Sequence, residues 1–102
     1  SGGRRIWPAI AQIVSGMIDN GMTLQDAIEA PRMHVETDDP MVDRRFDTQV
    51  LADLEQRGHR ISFPPEQYLL WPFTEANGIE IAGGKMRSGI AAANKPAMAG
   101  GI

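Results

Sequence analysis

Cysteine is absent from the chain, which excludes disulfides, thiolate nucleophiles and cysteine metal sites. An excess of one charge is also missing. Ten basic and thirteen acidic side chains leave a formal charge of -3, too mild to indicate nucleic acid or an anionic membrane as partner. No apolar run reaches the roughly 18 residues that suggest a membrane span. The opening segment lacks the basic-then-apolar order of a secretory signal, since Asp19 interrupts it and its apolar positions are periodic. The compartment stays open between periplasmic or secreted and cytoplasmic. From Gly83 to Ile102 there is no acidic residue; such small side chains suit close packing against a neighbour or a loosely ordered tail.

What remains fits a small folded unit. The 102 residues suffice for one domain, with thin independent stability. A hydrophobic content of 42% argues against wholesale disorder. Ile6, Ile10, Ile13, Val14, Met17 and Ile18 recur at helical spacing and predict a long helix with a broad buried face. Pro8 suits its first turn and Asn20-Gly21 its end. Thr23 caps a second helix, with Asp26 in the capping-box position, Leu24, Ala27 and Ile28 on its packing face and Pro31 beyond its end.

Short extended pieces are expected at Met33–Glu36 and Met41–Arg44, around the turn-prone Asp38-Asp39-Pro40. A third helix opens at Phe46-Asp47-Thr48, carries Val50, Leu51 and Leu54 on its apolar stripe, and closes at Arg57-Gly58. Strands are expected at His59–Phe63, at Tyr68–Phe73 on a sheet edge because of Pro72, and at Ile79–Ala82. Gly83-Gly84 would turn the chain into a returning strand, Met86–Ala92, whose alanines and glycines are weak strand formers. The set is α+β, two or three helices followed by short strands, without an internal repeat.

The run Gly2-Gly3-Arg4-Arg5-Ile6 resembles the Gly-Ser-Pro-Gly-Gly-Ser-Arg-Ile segment of gamma-glutamyltransferases, starting within its glycine pair. Asn20-Gly21-Met22-Thr23-Leu24-Gln25-Asp26-Ala27-Ile28-Glu29-Ala30-Pro31-Arg32-Met33-His34 resembles a second family block, and a family-like helix end, Leu54-Glu55-Gln56-Arg57-Gly58-His59, follows. Beyond about residue 60 the match thins. Thr74 stands where the family has glycine, and Ser88–Ala97 lacks the acidic residue of the Gly-Ala-x-Asp-Pro-Arg segment. The resemblance identifies residues 1–102 as the C-terminal portion of a gamma-glutamyltransferase-like small subunit, a fragment of an N-terminal nucleophile (Ntn) hydrolase with αββα architecture.

That resemblance implies an acyl transferase or hydrolase acting on glutathione-like gamma-glutamyl amides through a threonine ester. It also implies a self-cleaving precursor and no cofactor or metal. None of Thr23, Thr37, Thr48 and Thr74 matches the nucleophile, which would lie upstream with the remainder of the precursor. Gly2 and Gly3 would supply oxyanion-hole amides; the plain alternative is a flexible terminus. Arg5 and Arg32 match family arginines and read as structural or, less simply, substrate contacts. His34 reads as a packing residue and His59 as a turn exit; their spacing from Glu36, Asp38 and Asp39 is too loose for a metal motif. Asp38-Asp39 and Asp43-Arg44-Arg45 read as solvated charges, while Trp7, Tyr68, Trp71 and Phe73 read as core or interface anchors. The competing readings are a non-catalytic binding or assembly module of the same fold and a related Ntn amide acylase with another substrate.

Overall fold

The computed structural model describes residues 3–64 and 73–91. The chain forms two compact units, one from Ser1–Ala30 with Thr74–Ile102 and the other Pro31–Phe73, and each is taken by itself.

In the first unit a 3-10 turn at Gly3–Arg5 runs into α1, Ile6–Ile18. Gly21 ends the helix in the left-handed region at φ 65°, and the Met22 N–H donates to the Gly16 carbonyl at 3.0 Å. Helix α2, Leu24–Glu29, starts on Thr23, whose hydroxyl accepts from the Asp26 N–H at 3.1 Å. It stops at Ala30, whose ψ of 145° is the extended value that a following proline favours. A hairpin, β3 (Asn77–Ala82) and β4 (Lys85–Ile90), completes the unit. Gly83 and Gly84 both take positive φ, 58° and 73°, as a two-residue type I′ turn requires.

The core of this unit joins Ile13, Leu24, Ala27, Ile28 and Ala91, flanked by Met17 and Ala76. Register explains how α2 reaches the hairpin. Gly78 and Gly89 are directly opposed, and a Cβ on Gly89 would lie 2.9 Å from both Leu24 Cγ and Ile28 Cδ1. The two glycines therefore leave a bare patch of sheet that the α2 side chains fill. Gln25 adds a polar clamp: its side-chain amide donates to the Ile90 carbonyl at 2.9 Å and accepts from the Ile90 N–H at 3.0 Å. Both bonds are partly buried, so Gln25→Leu should cost about 2 kcal/mol by stranding two backbone groups. A chemical melt of the variant and the parent chain checks this, and an unchanged midpoint would show that water replaces the clamp.

In the second unit β1 (Met33–His34) pairs antiparallel with β2 (Met41–Val42), and the Val42 side chain is fully buried. The segment expected as a strand at His59–Phe63 makes only a bridge, Ser62 with Met41. Its Ser62 exchanges bonds with Pro40 and Val42, both at 2.8 Å, and pairing goes no further. Expected strand residues Tyr68–Pro72 lie outside the described residues. Helix α3, Thr48–Gln56, is capped by Asp47, whose carboxylate accepts from the Gln49 N–H at 2.8 Å, and Gly58 closes it at φ 93°. Its stripe of Val50, Leu51 and Leu54 is half-buried or exposed within this chain.

Asp43 is buried, which corrects its reading as a solvated charge. The chain turns sharply after β2, and the Asp43 carboxylate ties that turn by accepting from the Arg45 backbone N–H and from its guanidinium, at 2.6 Å for the shortest contact. Burial alone would raise the Asp43 pKa, but the Arg45 bonds outweigh it and hold it below the usual carboxylate range. A depressed folded pKa stabilises above the unfolded value, about 3.9, and that contribution disappears as pH falls through the folded value. Asp43→Asn should therefore flatten the acid limb of a stability-against-pH curve below about pH 4, with little change in the limb's shape at neutral pH. An unchanged acid limb would contradict that linkage.

Candidate functional site

The expected site residues are Gly2 and Gly3. Gly2 lies outside the described residues. Gly3 is exposed, takes φ 56°, and has open space where a Cβ would stand. The requirement for glycine within this chain is thus conformational, since a Cβ would meet no neighbour but would resist the left-handed backbone. The turn that Gly3 begins delivers the chain into α1 through Arg5, which gives no side-chain cap. No acidic residue occupies the first turn of α1. The 3-10 turn runs straight into α1, and Pro8 has no N–H, but the first turn still presents the positive end of the dipole without a carboxylate of its own. Arg4 and Arg5 add positive charge beside this end, an arrangement that disfavours the helix but favours a nearby anion.

Behind the turn, α1 buries Ala9, Ile13 and Gly16 against its own unit. The broad buried face expected of it is only half covered. Trp7 is 81% exposed, and Ile6, Ile10, Val14 and Ile18 are exposed with it. An apolar groove of about 310 Å³ runs between this side of the helix and residues Thr74–Gly78. Trp7 is therefore no core residue in this chain, whereas Phe73 is buried; Tyr68 and Trp71 lie outside the described residues.

Thr74 borders the same groove and is a backbone outlier. It is buried yet takes φ 71°, a region that costs a β-branched residue on the order of 1–3 kcal/mol. The family resemblance read from the sequence implies glycine at this position, and the left-handed backbone is the physical reason a glycine would suit it.

The remaining candidates separate. Arg32 is buried in the second unit; burial, then the nearby Arg45, press its pKa down while Asp43 opposes them. Its backbone carbonyl accepts from the Asp43 N–H at 3.0 Å. His34 is buried on β1, as a packing residue should be, with Nε2 3.1 Å from the Glu36 carboxylate. Asp39 pairs with Arg60 at 3.1 Å, and His59 is exposed at the exit of α3. Among the described residues no three His, Asp or Glu side chains converge as a metal cage would need. Among them, too, no helix is long and apolar enough to cross a membrane.

The helices, short antiparallel strands and glycine-led helix start define an α+β piece of Ntn-hydrolase-like fold. The gamma-glutamyltranspeptidase family profile matches residues 1–101. The chain belongs to the gamma-glutamyltranspeptidase family. It superposes on the gamma-glutamyltranspeptidase from Pseudomonas nitroreducens complexed with L-DON at a TM-score of 0.82 and 19% identity, covering 100% of this chain and 53% of that one. The transpeptidase CapD from Bacillus anthracis gives 0.75 at 14% identity, covering 99% and 60%. In sequence it is 34% identical over 64 residues to the Acylase ACY 1 proenzyme of Pseudomonas sp. (strain V22), which is 63% of this chain and 12% of that protein. The chain thus spans about half the length of the P. nitroreducens chain and a small part of the acylase proenzyme.

Proposed function

We propose that residues 1–102 are the C-terminal portion of the small subunit of an Ntn enzyme that cleaves or transfers amide-linked acyl groups. Gamma-glutamyl amides are the favoured donors. A threonine outside this chain would attack the donor carbonyl through its hydroxyl oxygen while its own α-amine takes the proton. Negative charge then gathers on the carbonyl oxygen, and N–H groups at Gly2 and Gly3 with the leading edge of α1 would receive it. Collapse breaks the amide C–N bond, returns the proton to the leaving amine and leaves a threonyl ester. Water or an acceptor amine then adds to that ester and releases the threonine.

The observation that carries this reading is the uncapped, carboxylate-free start of α1 behind a left-handed Gly3, in a chain of this family. A preorganised donor group of this kind acts without reorganising at the moment of reaction. The remainder of the same precursor, including the large subunit, would bring the nucleophile and the groups that hold the glutamyl end.

A second reading, an amide acylase with another acyl donor, draws support from the 34% identity to the Acylase ACY 1 proenzyme. The two are separated by assaying the protein encoded by the complete gene on a gamma-glutamyl anilide and on an acyl anilide lacking the α-amino and α-carboxyl groups. Turnover of the first supports the gamma-glutamyl reading, and turnover of the second alone supports the acylase. A non-catalytic assembly module would turn over neither.

A further inference from the structure

Two of the three asparagines in the chain are followed by glycine, in Asn20-Gly21 and Asn77-Gly78. That dipeptide carries a chemistry of its own. The glycine nitrogen can reach the side-chain carbonyl carbon of the preceding asparagine, because no Cβ stands in the way. Whether it does depends on what already holds the glycine N–H, and the fold treats the two pairs differently.

Both asparagines are exposed, so access to water does not separate them. Asn77-Gly78 lies within β3, where Gly78 stands opposite Gly89. The Ala91 N–H donates to the Ala76 carbonyl at 3.0 Å, so by alternation Asn77–Ile90 is a non-bonded pair and Gly78–Gly89 a bonded one. The Gln25 clamp agrees, since it engages the Ile90 N–H and carbonyl on the side away from β3. The Gly78 N–H is therefore committed to the ladder. Asn20-Gly21 lies in the link between α1 and α2, where Asp19 through Thr23 are all exposed. Among the described residues, neither the Asn20 side chain nor the Gly21 N–H makes a hydrogen bond. The reacting groups are held back at one pair and free at the other.

We infer that Asn20 is a site of spontaneous deamidation, a slow covalent change built into the α1–α2 corner. The Gly21 nitrogen gives its proton to solvent base and bonds to Asn20 Cγ. The Cγ–Nδ2 bond breaks, Nδ2 takes a proton from water and leaves as ammonia, and a cyclic imide remains. Water then opens the ring. Attack at Cγ leaves an aspartyl residue in an unchanged main chain. Attack at the main-chain carbonyl leaves an isoaspartyl link, with the main chain routed through Cβ and Cγ. Either product sets a new carboxylate beside Asp19 at the C-terminal end of α1, whose last turn holds no basic residue to meet it. The isoaspartyl link also lengthens the main chain inside the closure that the Met22 N–H makes with the Gly16 carbonyl at 3.0 Å. This chemistry needs no substrate and stands apart from the enzymatic reading.

The test is peptide mapping by mass spectrometry of the protein from the complete gene, held folded in neutral buffer and sampled over time. Conversion at Asn20 should run at least about 10-fold faster than at Asn77, whose glycine must first leave the ladder. In urea sufficient to unfold the protein, the two rates should converge. Equal rates in the folded protein, or an Asn20 that stays intact there, overturn the inference. A gap that persists in urea also overturns it, by tracing the difference to sequence and not to fold. Asn20→Gln lengthens the side chain and should stop conversion at this position on the same timescale; continued ammonia release there would contradict the assignment. The isoaspartyl fraction should unfold at lower urea than Asn20→Asp, which brings the charge without the longer main chain. Matching midpoints would overturn the part given to the Met22–Gly16 closure.

Discussion

Gly89→Val is expected to destabilise the chain by about 3 kcal/mol, near the upper end for an overpacked site. Even a bare Cβ at that position would sit 2.9 Å from Leu24 Cγ and Ile28 Cδ1. Those two leucine and isoleucine side chains are themselves core members, so neither can swing into solvent without uncovering Ala27 or Ala91. Leu24→Ala acts in the opposite sense, leaving the glycine pair unfilled at a cost of about 2–5 kcal/mol. Combining Leu24→Ala with Gly89→Ala should therefore cost at least about 0.5 kcal/mol less than the sum of the single changes, since the new methyl enters the vacated space. Urea melts of the three variants measure this coupling. Strict additivity would mean that α2 does not depend on the bare patch of sheet.

The second large effect concerns activity. In the complete protein, Gly3→Val should lower kcat by about 10²–10³-fold, the usual loss when an oxyanion donor is displaced. Within this chain a Cβ at Gly3 would meet no atom within 4 Å. The effect of valine would come from the backbone, because a β-branched residue resists the φ of 56° that Gly3 holds. Asparagine tolerates that region far better, and Gly3→Asn should retain most of the activity lost by valine. A steady-state comparison of the two variants decides the matter. Equal activity in both would remove Gly3 from the catalytic machinery.

Local signals in the sequence marked much of the secondary structure. Thr23 and Asp47 begin α2 and α3 by accepting backbone N–H bonds, and Pro31 and Gly58 end them, each through chemistry confined to a few neighbouring residues. The Gly83-Gly84 turn is legible for the same reason. Long-range consequences were not. Gly89 looked like a weak point in a strand until register placed it opposite Gly78 and under Leu24. Gln25 and Ile90 are 65 positions apart, so their clamp has no local signature. Asp43 resembled a surface charge because its partner Arg45 is two residues away and exposed, yet Asp43 itself is buried.

The α1 face was misjudged for a related reason. Apolar periodicity says that Ile6, Ile10 and Val14 belong against something, but not which polypeptide supplies it. Thr74 shows the reverse case: sequence resemblance flagged the missing glycine, and the backbone explains the flag through its positive φ. At the site itself the pattern of residues indicated Gly3, while the absent cap on α1 emerged only from the fold.

Intact mass and N-terminal sequencing of the protein purified from its native source test the enzymatic account most directly. The account predicts two chains, the smaller one starting with threonine and containing this sequence near its end. A single uncut polypeptide, or a small chain that starts with another residue, would contradict it.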